Sequence, residues 1–371
     1  MRKLLAVGSL LLFLLGMSGC RQSYEPALSG PAIELVFKGL HNRPITRIGS
    51  YPCPTLGTTY LEPDGLGEHR YGFDLLEKDG IVYTCRAGHI DIFHVRESAD
   101  WTAFLAGRIY PQLMKNRTEF SFRLKEGSIG HIALDYPHGW KDMPKQQKKE
   151  TVHDISIRLG QYLAYSAMTW HEILTWFGYK STGILPEFPS SFSWEDSYSN
   201  LLGCDVAGIA LRDGKHTYCE AITIAINREL AELGVQPARV GHRAAEMVRG
   251  WWFSGELPFI VDIRARNFDI GLNNGLVTPW IIPLAGDCEG VGARPLPAPN
   301  TDFLAKYRFS ARFEIEPKEW EKDTILGIVY AKGQKRHNRL EPAVHYALIM
   351  DYIQADAAKK YGKDTAFSRL H

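Results

Sequence analysis

Residues 88–101 read GHIDIFHVRESADW, and where strand gives way to helix in this stretch decides how the chain is built. The alternation around Ile90 and Ile92 predicts a strand over Gly88–Val95. A helix is expected from Ser98 to about Met114, with Asp100 near its positive N-terminal end. On such a strand Ile90, Ile92, His94 and Arg96 share one face, and His89, Asp91 and Phe93 share the other. If the isoleucines face the core, His94 and Arg96 emerge where the strand runs into a helix, a common place for a site. His89 and Asp91 then point away, and the His-x-Asp-x-x-His cluster cannot chelate one ion.

Upstream, residues 21–31 are polar and proline-containing, and Ala32–Phe37 and Ile81–Cys85 read as strands. Downstream, Phe120–Leu124 and Ile129–Tyr136 alternate apolar and polar residues around Glu126-Gly127, which predicts a hairpin. The character then changes. Thr151-Val152-His153-Asp154 resembles a capping box opening a long helix that stops at Gly178. Further helices are expected from Ser193-Trp194-Glu195-Asp196, from Thr217-Tyr218-Cys219-Glu220 to Gly234, and around Arg239–Trp252. Strands return at Phe259–Arg266 and on either side of Asn273-Asn274-Gly275, a strong hairpin signal. A connector at 292–301 leads to one more strand, a helix opening at Pro317 and a terminal helix from Pro342 to Tyr361. Strands and helices in blocks favour an α+β fold over a doubly wound sheet. The expectation is antiparallel strands and hairpins packed on a central helical layer at about 151–252, in a single compact domain spanning 32–371.

The first residues, MRKLLAVGSLLLFLLGMSGC, carry Arg2 and Lys3, an apolar run from Leu4 to Leu15 and small residues before Cys20. That is the pattern of a signal peptide over 1–19, with an apolar run short of the roughly 20 residues that span a bilayer. Met17-Ser18-Gly19-Cys20 resembles the lipobox of bacterial lipoproteins, with Met17 where Leu is usual. The resemblance implies lipidation at Cys20, a lipidated tether over 20–31 and membrane attachment through the N-terminus, since each buried methylene adds about 0.8 kcal/mol. Arg21 stands where an inner-membrane retention signal would place Asp, so a periplasm-facing outer-membrane location in the cell envelope is expected.

The 43 basic and 42 acidic residues of the 371 leave a formal charge of +1, and no basic block is long enough to suggest a nucleic-acid surface. Besides Cys20 there are Cys53, Cys85, Cys204, Cys219 and Cys288. In an oxidising compartment Cys204–Cys219 is the expected pair, with Cys53–Cys85 a weaker one.

For chemistry, His171 and Glu172 lie on the long helix beside small residues that allow close approach of another element. Residue 175 is Thr, so the zincin motif is absent. His94, His171 and Glu172, completed by Asp91 or Glu220, would suit zinc, because two imidazoles and a carboxylate with an open position is a hydrolytic arrangement. Glu220 is explained as well by its capping position three residues after Thr217, and Asp154 and Asp196 by similar caps. A Cys85 nucleophile with His94 as base is a further possibility, and Cys288 offers a thiol in a turn. No nucleophile elbow or P-loop occurs.

Three stretches, TCRAGHIDIFHVRESADWTAFL at 84–105, SSFSWEDSYSNLLG at 190–203 and RNFDIGLNNGLVTPWIIP at 266–283, resemble as a group a bacterial family of proposed lipoproteins defined only as a domain of unknown function. The resemblance implies an envelope location, one family-defining unit and no family catalytic residues. The expected function is that of an envelope hydrolase acting on peptidoglycan, peptide or lipid. His94 and His171 would serve as ligands or acid/base groups, Glu172 as carboxylate and Arg96 as the binder of an anionic group. The alternative is a non-catalytic envelope protein in which these residues are structural.

Overall fold

The computed structural model describes residues 37–45, 47, 51–72, 77–180, 188, 190–257, 261–330 and 335–362. The leader, Cys20, the tether and the strand expected over 32–36 lie outside them.

The hairpin β1 (Ile81–Thr84) and β2 (Gly88–Asp91) turns at Gly88, whose φ of +66° favours glycine. Any Cβ there would meet the carbonyl oxygen of Trp280. The strand stops at Asp91, four residues earlier than the alternation predicts. The Asp91 carboxylate accepts the Phe93 N–H at 2.8 Å, which caps α1 (Ile92–Met114). This helix is buried almost all round, with Ile92, Val95, Ala99, Trp101, Leu105 and Ile109 all in the core. A helix with almost no solvent-exposed face lacks the polar stripe by which helices are recognised, and the β-branched residues of its first turn read as strand. Asp100 therefore sits two turns inside the helix and is no cap.

Two helices cross α1 closely. Helix α2 (Lys145–Trp176) brings Gly160 against the Thr102 carbonyl, and α3 (Asp196–Ala210) brings Gly203 against the Val95 carbonyl, where a Cβ would be 2.2 Å from oxygen. Only glycine permits that approach. Helix α2 starts at Lys145, so Thr151 is interior, and Asp154 accepts from Arg212 and the Tyr307 hydroxyl instead of capping. Its end at Gly178, φ +104°, is as expected. Helix α4 (Tyr218–Glu232) has the expected capping box, with Thr217 and Glu220 reciprocally bonded, and α5 (Ala238–Met247) follows.

The second hairpin is also as expected: β3 (Glu119–Arg123) and β4 (Ile129–Asp135) pair with Arg123 opposite Ile129. β10 (Ser310–Glu316) completes an antiparallel sheet ordered β10-β4-β3, while β5 (Val235–Gln236) joins the first hairpin in the order β2-β1-β5. The strand expected over 259–266 is reduced to β7 (Asp262–Ile263), paired with β6 (Phe253–Ser254), residues 258–260 lying outside the described chain. Asn273-Asn274-Gly275 does turn the chain, but β8 (Leu276–Val277) pairs with β9 (Leu296–Pro297) from the connector, not with 267–272. The short α6 (Lys322–Val329) starts five residues after Pro317, and α7 (Pro342–Tyr361) spans its expected residues. Cys85 is bonded to Cys288, and Cys53 and Cys204 are free and buried, so neither expected pair forms. Sequence spacing carries no information about a pairing between residues 203 positions apart. The result is a single compact α+β domain with antiparallel sheets packed against helices.

Candidate functional site

The start of α1 places His94 one turn after Asp91, so both lie on one helix face. The turn entering α3 supplies the facing acids. There the Ser193 N–H donates to Asp196 at 2.7 Å and the Ser193 hydroxyl to Glu195 at 2.7 Å. His94 Nδ1 lies 3.4 Å from Asp196 and 3.5 Å from Asp91, whose side chains are 3% and 0% exposed while the imidazole retains 16%. Nδ1 itself is buried, so the accessible edge of the ring is elsewhere.

Burial, the nearby Lys125 ammonium and the charge of His171 push His94 down to about 3. Burial and the charges of Glu172 and Glu195 hold Asp196 well above its ordinary range, and burial with the charges of Asp91 and Glu172 does the same to Glu195. The pocket therefore favours a neutral ring among carboxyls that resist ionising.

The β3–β4 turn carries the second half. Lys125 donates to the buried Glu97 of α1 at 2.8 Å, and the Glu126 carboxylate lies 2.8 Å from His171 Nδ1 on α2. Burial and Lys125 push His171 down, but the hydrogen bond and charge of Glu126, with the charge of Glu172, outweigh them, and its pKa is raised. Glu172 accepts the Phe192 N–H at 2.8 Å and so ties α2 to the segment entering α3.

His94 and His171 thus meet electrostatically but have different acid partners. Among the described residues no group of three or more His, Cys, Asp or Glu side chains is arranged to hold a metal ion. The zinc reading of His94, His171 and Glu172 is not carried further. Glu220 caps α4.

Arg96 does not join this site. Two positions after His94 on a helix is a different face, and Arg96 donates to the carbonyls of Leu66 and Lys78 and pairs with Asp79 at 3.3 Å. Asp100, one turn on, accepts from Arg47, His69 and the Gly72 N–H. His89 is a core histidine between the Gly241 carbonyl and the Trp194 indole, lowered to about 4 chiefly by burial. Cys85 and Cys288 are disulfide-bonded, which removes both thiol readings.

Sequence reasoning missed Lys125, Glu126, Glu195 and the second role of Asp196. Lys125 and Glu126 sit in a hairpin turn, where charged residues are ordinary. Only the fold brings that turn over α1 and α2.

A cavity of ≈1030 Å³ opens beside His171, with Glu126 and Tyr179 in its wall; the Tyr179 ring centroid is 6.3 Å from that of His171. Neighbouring imidazoles biased in opposite directions are suited to opposite proton-transfer roles.

A family model described as "Protein of unknown function (DUF4056)" matches residues 47–275, a span that holds every residue of the His94 and His171 groups. No curated protein and no solved structure matches.

Proposed function

Because the chain belongs to that family of unknown function, we propose its activity from the chemistry of the site. The protein is a lipid-anchored envelope hydrolase in which His94 is the general base and His171 the general acid. The observation that carries the reading is the pair of partly exposed imidazoles, each backed at Nδ1 by a buried carboxyl group, His171 by Glu126 and His94 by Asp91 and Asp196. Backing at Nδ1 orients a ring and leaves the other nitrogen for proton transfer.

In this scheme His94 takes a proton from water as the oxygen attacks the scissile bond. The His171 imidazolium gives its proton to the departing group, and exchange with solvent restores both rings. Long hydrogen bonds in a site without substrate are ordinary and tighten in the reacting complex. The lipobox-like Met17-Ser18-Gly19-Cys20 supports attachment at Cys20 and an envelope substrate: peptidoglycan, peptide or lipid. Among the described residues no helix is long and apolar enough to cross a membrane.

The test is to incubate the purified protein separately with isolated sacculi, extracted envelope lipids and periplasmic peptides, and to follow released products by mass spectrometry. The wild type should release a product that His94→Ala and His171→Ala release at least about a hundredfold more slowly. Identical product profiles for wild type and the double variant would leave a binding lipoprotein as the reading.

A further inference from the structure

The wall of the cavity beside His171 carries three cations that have no carboxylate partner among the described residues. Arg108 comes from α1, Arg123 from the end of β3 and Lys180 from just beyond α2; among the described residues none of the three makes an ion pair. Arg43 is lowered by burial and then by the charge of Arg123, against the raising charge of Glu126. Of the three acids in the wall, Glu321 keeps a carboxylate oxygen without a hydrogen-bond partner, while the other two are committed. Glu126 faces His171, and Glu319 accepts from the Ser128 N–H at 2.7 Å, the Ser128 hydroxyl at 2.6 Å and the Lys318 N–H at 2.9 Å.

Trp320 also lines the cavity, and the residue is 97% exposed. An indole left in water at a cavity mouth is a platform for a flat, weakly polar face. The volume is at the upper end of the roughly 300–1000 Å³ of small-molecule sites, which suits several linked units better than one.

We propose that this cavity binds an acidic oligosaccharide, with sugar rings stacked on Trp320 and carboxylates paired to Arg108, Arg123 and Lys180. The inference deepens the hydrolase reading by naming its substrate class. It rests on that reading only for cleavage, since binding stands on the cavity wall alone. Charge-assisted pairs between guanidinium or ammonium groups and carboxylates are among the stronger contacts such a ligand can make.

Calorimetric titration of the protein with a hexamer of galacturonic acid, a neutral cellohexaose and inorganic phosphate tests it. The acidic hexamer should bind about tenfold or more tightly than the neutral one, weaken on adding salt, and lose about tenfold in affinity in Arg123→Gln/Lys180→Gln and in Trp320→Ala. These are surface changes, and an unchanged melting temperature confirms that the fold is intact. Equal binding of the two hexamers, acidic binding indifferent to the variants, or phosphate binding as tightly as the acidic hexamer would overturn the proposal. His171→Ala separates the two readings. If it still binds the acidic hexamer while the wild type releases nothing from any envelope fraction, the cavity assignment stands and the hydrolase falls.

Discussion

Two buried polar networks grow from the same helix, and they differ in how their charges are matched. Around Asp100, both carboxylate oxygens are used: one by His69 at 2.8 Å, the other by Arg47 at 3.1 Å and the Gly72 N–H at 3.0 Å. Arg47 also pairs with Glu77, and Arg96 with Asp79. Burial opposes the Asp100 charge, but the charge and hydrogen bond of His69, with Arg47 and Gly72, outweigh it and hold the carboxyl below its ordinary range.

Around His94 the balance is reversed. Asp91, Glu195, Asp196, Glu97, Glu126 and Glu172 crowd a region whose only ammonium among the described residues is Lys125, and burial holds both Asp196 and Glu195 above their ordinary range. Matched charge identifies the structural network, and mismatched charge the candidate site.

The contrast can be broken in four places. Asp100→Ala takes from Arg47 and His69 one of the two buried carboxylates they share, leaving Glu77, and should cost about 3–5 kcal/mol of unfolding free energy, read by urea titration; a loss under 1 kcal/mol would show that this network is not structural. His94→Ala and His171→Ala should slow product release about a hundredfold or more while costing less stability than Asp100→Ala. Should they unfold the protein as readily, the two networks would not differ in kind.

The third test uses pH. Asp196 is raised from 3.8, so above about pH 4 the unfolded chain loses a proton that the folded one keeps, and stability falls as pH rises toward the folded value. Asp100 is lowered from 3.8, so its contribution is full above that value and is lost as pH falls. Asp196→Asn should remove a falling slope of up to about 1.4 kcal/mol per pH unit and raise stability at neutral pH. Parallel profiles for variant and wild type would mean that Asp196 is ionised in the fold. The smallest effect belongs to a residue outside both networks. Thr217→Ala removes the cap of α4 and should cost about 1 kcal/mol, with product release unchanged; a change in release would reinstate Glu220, its partner in the capping box, near the chemistry.

Much of the fold was legible because the signals are local. The Thr217 cap, the Glu126-Gly127 turn, the Gly178 stop and the Pro342 start each rest on a few adjacent residues. The errors fell where local and tertiary forces disagree. A strand reading of 88–95 groups His94 with Arg96; a helix groups His94 with Asp91 and Glu97, and Arg96 with Asp100. One change of period reassigns every polar residue of the stretch. Likewise the Asn-Gly turn formed, but its second strand found a partner twenty residues on, because pairing is settled by what packs nearby.

The sequence by itself determined the α+β class, several helix ends and the candidacy of His94, His171 and Glu172, since periodicity, caps and residue chemistry act within a turn or two of chain. The tertiary structure alone decided that Arg96 belongs to a different network, that Cys85 bonds Cys288, and that Lys125 and Glu126 lie over the two histidines. The first and the last of those outcomes depend on α1 being enclosed by α2, α3 and a hairpin turn. Enclosure removes the solvent-facing stripe that would have marked the helix, and it also removes the water that would otherwise have equalised the charges around His94.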